Sequence, residues 1–217
     1  MRKRVFLCCI MLVLSVFIFS GCLSLSNSPA SPAPRFYMLK AMDKQQISAK
    51  FDIAPGVIVA VGPIGIPEYQ DRPQIVTTDK DGMLKFAQFD RWGESLDSAL
   101  ARLIADNLTV MLPAASFQIF PCNFTIPLTY RVIVDVIKLD SRLDKDMLLV
   151  CQWSIIDAKN RQMVLTKRSE FRQPVNPHNY SGLTGALSAA CASLSNEIAA
   201  TLAELSKQPK VKKDIAG

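Results

Sequence analysis

From Arg35 onward the apolar residues follow two spacings. Leu96, Leu100, Leu103, Ile104, Leu108 and Met111 recur every three or four positions, the stripe of an amphipathic helix over about 95–111. Ser95, with Asp97 and Ser98 behind it, suits the start, and Pro113 stops it. Leu183, Leu187, Cys191, Leu194, Ile198, Leu202 and Leu205 mark a second helix over about 182–205. Its other face is Ala and Ser, small enough for close helix packing or a subunit contact. Elsewhere the period is two. Tyr130, Val132, Val134 and Val136 face one way, and Arg131, Ile133, Asp135 and Ile137 the other. Segments 130–139, 147–156 and 162–171, joined by polar turns, read as an antiparallel meander. The apolar run 57–61 reads as a buried central strand, 35–39 as an opening strand and 117–120 as a short one. Segments 74–78 and 83–89 flank Asp81-Gly82, a hairpin signal. Two glycines and three prolines in 62–73 predict no regular structure there. The fold expected is mixed α/β (α+β): one domain, a mixed sheet of about seven strands, two main helices packed on it.

The first 34 residues follow neither spacing. Arg2, Lys3 and Arg4 precede an apolar run of about 15 residues, shorter than the ~20 a membrane-spanning helix needs. A cationic start, a short apolar run and small residues at its end describe a cleavable export signal, 1–21. Phe19-Ser20-Gly21-Cys22 resembles the lipobox of bacterial lipoproteins, with Phe19 where Leu is usual. That resemblance implies cleavage before Cys22 and covalent lipid on its thiol, with several acyl chains for stable anchoring. Leu23 stands where an Asp would retain such a protein at the inner membrane, so the outer membrane is expected, the periplasmic face of the inner membrane being the alternative. Residues 22–34 form a lipidated Ser/Pro-rich linker, and about a dozen such residues reach roughly 35–40 Å when extended. The domain then occupies 35–206, and 207–217 is a basic tail with Lys207, Lys210, Lys212 and Lys213.

Charge changes the picture once the signal is removed. Lys+Arg falls from 25 to 22 against 19 Asp+Glu, so the net charge drops from +6 to +3. Without a Lys/Arg cluster in the domain, this gives no case for nucleic acid. Cys122, Cys151 and Cys191 remain after the anchor, with no CxxC and no Cys/His metal spacing. Cys151 and Cys191 fall on apolar stripes and read as core residues.

Candidate chemistry is sparse. His178, the sole histidine, sits between Pro177 and Asn179 with no nucleophile motif nearby. Asp135 reads as a solvent-face acid or the partner of Arg131 or Lys138. Asp140, Asp144 and Asp146 lack the spacing of a calcium loop. The expectation is no enzyme, no metal and no cofactor beyond the lipid on Cys22. The segment least explained by folding is 62–73: prolines frame an exposed-looking Tyr69 and the charged pair Asp71-Arg72, and rigid loops present binding residues well.

That segment carries a resemblance. Residues 61–77, VGPIGIPEYQDRPQIVT, closely resemble the signature of the paraquat-inducible protein C family, the ABC-type transport auxiliary lipoproteins. Arg35-Phe36-Tyr37-Met38-Leu39 is similar to that family's opening strand, and Phe89-Asp90-Arg91-Trp92-Gly93-Glu94-Ser95-Leu96 to its entry into the first helix, with Ser95 in place of the usual Pro. Thr78 stands where Arg is common. The resemblance covers most of 35–112; the rest agrees only in its order of strands then helix. It implies a lipoprotein that docks a mammalian-cell-entry-type (MCE) periplasmic tunnel protein, meets an integral inner-membrane partner indirectly, forms a ring-like homo-oligomer and serves intermembrane lipid transport. Tyr69, Asp71, Arg72, Pro73 and Gln74 become candidate partner or subunit contacts, and Gly62, Pro63, Pro67, Trp92 and Glu94 structural positions. An envelope lipoprotein with a structural or binding role and none in transport stays open, as does a low-affinity lipid carrier.

Overall fold

The structure is a computed structural model, which describes residues 31–42, 50–122 and 127–207. Cys22, the signal segment and the tail beyond Lys207 lie outside the described residues. The domain, from Pro34, holds eight strands and two long helices. In chain order these are β1 (Arg35–Tyr37), β2 (Ile58–Gly65), β3 (Gln74–Thr78), β4 (Leu84–Trp92), α1 (Leu96–Met111), β5 (Ser116–Ile119), β6 (Tyr130–Ser141), β7 (Asp146–Asp157), β8 (Gln162–Pro174) and α2 (Tyr180–Lys207).

The strands sort into two mixed sheets. One has five strands in the order β5-β2-β6-β7-β8, the other three in the order β1-β4-β3. In the larger sheet β2 runs parallel to both β5 and β6, while β6, β7 and β8 form the expected antiparallel meander. The run 57–61 is central as predicted: Val59, Ala60 and Val61 are fully buried. Both helices bring their stripes to the core. Leu103, Leu108, Leu183, Leu187, Leu194, Ile198 and Leu202 are at most 1% exposed, each worth about 1.5–3 kcal/mol of apolar burial. Alanines on α2 (Ala186, Ala190, Ala199, Ala203) are buried too. Between the helices, buried Asn107 accepts from the Met42 amide (2.9 Å) and donates to Ser195 (3.3 Å), so its amide is satisfied on both sides.

One expectation fails. Regular structure does not stop at Val61: β2 continues through Gly62-Pro63 to Gly65. Val61 pairs with Val132 and Ile64 with Val134, three steps along β2 against two along β6. That is a bulge, the place where a strand tolerates a proline without an N–H. Beyond β2 the residues Glu68–Gln70 form one 3-10 turn. Among the described residues no helix is long and apolar enough to cross a membrane.

Candidate functional site

The segment from Gly62 to Gln74 is held down at several points. Gly62 has a positive φ of 116°, and a Cβ there would stand 3.2 Å from the Phe120 carbonyl oxygen, so the position suits glycine alone. Its own carbonyl accepts from Arg131 Nε at 3.0 Å, and the Arg131 guanidinium lies 3.8 Å over the Phe120 ring. At Gly65 a Cβ would meet the Asp135 carboxylate at 2.6 Å. Asp135 itself is exposed. It pairs with neither expected cation, because Arg131 is engaged at Gly62 and Lys138 lies 3.5 Å from Asp140.

Where β2 ends, the β6 backbone loses its neighbour, and the loop supplies one. The Leu139 amide donates to the Tyr69 hydroxyl at 3.3 Å, and that hydroxyl donates to the Leu139 carbonyl at 3.3 Å. Gln70 Nε2 adds a bond to the same carbonyl at 3.2 Å, from a side chain 2% exposed. Two side chains thus do for Leu139 what a strand would do, since buried backbone polar groups must be paired. Tyr69 is half-buried, not exposed as its sequence setting suggested. Its hydroxyl is spent on a strand 70 positions away, which no local pattern reveals.

The next residues turn outward. Asp71 and Arg72 amides close the turn on the Glu68 and Gln70 carbonyls (3.2 and 2.8 Å). Asp71, Arg72 and Pro73 are exposed, and Gln74 is half-buried. Arg72 rests 4.3 Å over the Phe86 ring, and the Pro73 carbonyl accepts from the Trp92 amide at 2.8 Å. The expected contacts therefore separate: Tyr69 is an internal anchor, while Asp71, Arg72 and Pro73 form a free surface on a fixed backbone. Trp92 is buried, and Glu94 takes the Arg102 guanidinium, so both serve the junction of β4 with α1.

A second fixed point lies beside the loop. Buried Asp90 accepts Arg35 Nε at 2.7 Å and Arg35 Nη2 at 2.8 Å, together with the Tyr37 hydroxyl at 2.8 Å. Burial pushes the Asp90 carboxyl up, but the Arg35 and Tyr37 hydrogen bonds and the Arg35 charge outweigh it and hold it below the ordinary range. Asp90 is a site that sequence reasoning missed; an acid flanked by Phe89 and Arg91 on a core-facing strand was its one signal. Asp146 does similar work in the meander, between Arg142 (2.6 Å) and Arg172 (2.8 Å).

Other candidates show no convergent chemistry. His178 Nδ1 stands 3.1 Å from the Leu143 carbonyl. Among the described residues no group of three His, Cys, Asp or Glu is placed to hold a metal. Cys122, Cys151 and Cys191 are free thiols; burial pushes Cys151 up to about 12 and Cys191 higher still, so neither buried thiol is a nucleophile at neutral pH. An open groove of about 600 Å³ runs beside α2, floored by Gly185, Ser188, Ala189 and Ala192 and edged by Lys40 and Gln173.

A family model described as ABC-type transport auxiliary lipoprotein component matches residues 37–199, well past the segment that carries the resemblance in sequence. No curated protein matches. Two of the solved structures that share the fold cover most of this chain. One, titled only as an uncharacterized protein, superposes with a TM-score of 0.64 at 16% identity, over 79% of this chain and 99% of that one. The other, protein XCC0632 from Xanthomonas campestris, gives 0.61 at 11% identity, over 77% and 94%.

Proposed function

The chain belongs to the ABC-type transport auxiliary lipoprotein component family, and on that premise we propose that it is a non-enzymatic docking component of an MCE-type intermembrane lipid transport system. In this reading lipid on Cys22 holds it to the periplasmic face of the outer membrane. The domain 35–206 assembles as a ring-like homo-oligomer and receives the periplasmic tunnel protein. Its contact is the exposed Asp71-Arg72-Pro73 edge, running into Gln74.

One observation carries the reading. The 62–74 segment is tied to β6 and β4 at Gly62, Tyr69, Gln70 and Pro73, yet its charged side chains are exposed and, among the described residues, make no hydrogen bond or ion pair, Arg72 alone stacking on Phe86. A loop ordered in advance loses little freedom on binding. The test is crosslinking in the intact envelope with Cys22 retained, followed by affinity capture and mass spectrometry. Recovery of an MCE-type protein and of self-crosslinks is expected. Recovery of cell wall or unrelated lipoproteins alone would move the protein to a structural role in the envelope.

A further inference from the structure

We propose that the β3–β4 hairpin is a membrane-contacting finger, with Met83, Leu84 and Phe86 seated in the interfacial layer of the bilayer that holds the lipid anchor. This rests on the lipoprotein reading and not on which transport partner the 71–74 edge meets.

Three large apolar side chains stand exposed within four consecutive residues: Met83 at 60%, Leu84 at 41% and Phe86 at 48%. They are not scattered. Phe86 sits opposite Val76 and Leu84 opposite Thr78. Leu84 and Phe86, two positions apart on β4, therefore share one face of the hairpin, with Met83 at its tip. Single exposed apolar residues are ordinary; several gathered on one face of a ribbon mark an interaction surface. The finger is also stiff. Asp79 Oδ1 accepts from the amides of Asp81 (3.0 Å) and Met83 (2.9 Å), and Lys85 reaches Asp79 Oδ2 at 3.3 Å.

The path of the chain selects the bilayer as the occupant. β1 is parallel to β4, with Arg35 beside Asp90 and Tyr37 beside Trp92, so the chain enters the domain travelling from the hairpin end of that sheet. The Arg35–Asp90–Tyr37 cluster fixes this entry. Leu84 precedes Asp90 by six residues, at most about 20 Å along a strand. The 13 positions from Cys22 to Arg35 span roughly 40 Å as an extended Pro-rich tether, a length that lets the hairpin end of the sheet reach the bilayer. Asp79 and Asp81 balance Lys80 and Lys85 at the tip, so apolar burial rather than attraction to anionic lipid makes the contact.

The test uses the full lipidated protein reconstituted in phosphatidylcholine vesicles that carry brominated acyl chains. Phe86→Trp reports on the finger. Leu84→Trp repeats the measurement at a position clear of Arg72, and Met163→Trp, more exposed than either but on β8 of the other sheet, is the control. Native Trp92 and Trp153 are buried and supply a subtractable background. The finger variants should lose about half their added emission, as a side chain ~5–10 Å into the interface would, with or without phosphatidylglycerol. The Met163→Trp protein should keep its emission. Equal quenching at all three positions, or none, overturns the proposal. So does a blue shift at position 86 that follows protein concentration rather than lipid, which would mean that a second copy covers the face.

Discussion

The β6–β8 meander and the crossing from β2 to β3 satisfy their backbones in opposite ways. In the meander, pairing runs from Tyr130↔Asp157 to Ser141↔Met147 and from Asp146↔Pro174 to Asp157↔Gln162, strand against strand with one slip in each ladder. In the crossing, the backbone bonds that matter end on side chains: Arg131 on Gly62, Tyr69 and Gln70 on Leu139. A ladder accepts any residue of suitable face and size. A side-chain clamp accepts only the group that reaches. The difference explains why the crossing reads like a signature and the meander like a pattern.

The comparison is tested most strongly in the core behind the ladder. Leu194 is 1% exposed on α2. Leu194→Ala should cost about 2–5 kcal/mol in denaturant unfolding, while Leu194→Met should cost less than about 1.5 kcal/mol, because volume and not identity is required there. If the conservative change proves as damaging as the truncation, the core is as identity-bound as the crossing and the contrast collapses.

The clamp should show the reverse sensitivity. Tyr69→Phe keeps ring and volume and removes one oxygen, yet it strands both the amide and part of the carbonyl demand of Leu139. A cost of about 1–3 kcal/mol is expected, with faster hydrogen exchange at the Leu139 amide. Thr166→Ser on the ladder, which keeps the hydroxyl bonded to Ser154 at 2.9 Å, should fall within about 0.5 kcal/mol of wild type. Unchanged exchange at Leu139 in Tyr69→Phe would mean that the clamp is incidental.

How far the chain could be read follows the same division. Both helices and the meander were legible, since their stripes and alternations need only a count of positions. The larger sheet's central strand was visible as an apolar run, but not its passage through Gly62-Pro63. Those residues are breakers alone and become a bulge only beside β6. Tyr69 looked exposed because its partner, Leu139, is remote in sequence. Asp90 drew no attention as an acid, although it gathers Arg35 and Tyr37 and sets where the chain enters the fold. Of the candidate contacts, Asp71, Arg72 and Pro73 lie exposed, on a backbone whose rigidity the prolines suggested for a partly different reason.

Asp90 gives the chain's entry into the fold a dependence on pH, as Asp146 gives the meander one. Its carboxyl ionises at lower pH folded than unfolded, where the ordinary value is near 3.8. The stabilisation is therefore present above that value and drains away as pH falls through the folded one. The gap in unfolding free energy between wild type and Asp90→Asn should be widest near neutrality and shrink below about pH 4. A gap constant across the acid limb would show that packing, not ionisation, makes Asp90 useful. Asp146, with the same direction of shift, needs to be intact in both proteins so that its own titration cancels in the comparison.

The smallest effect on stability is expected where the effect on binding is largest. Among the described residues the side chains of Asp71 and Arg72 make no hydrogen bond to the fold, and Arg72 offers only its stacking on Phe86. An exposed cation over an aromatic ring is worth about 0.5–1 kcal/mol, so Asp71→Ala with Arg72→Ala should unfold within about 1 kcal/mol of wild type. Capture of the transport partner should nonetheless fall, because a rigid loop leaves these two side chains as its main polar handles. Tyr69→Phe sharpens the reading from the other side: it keeps both handles but loosens the backbone beneath them, so capture should weaken less than in the double variant while stability weakens more. Should the two variants rank the same way in both measurements, the loop acts through folding alone, and the exposed edge carries no recognition of its own.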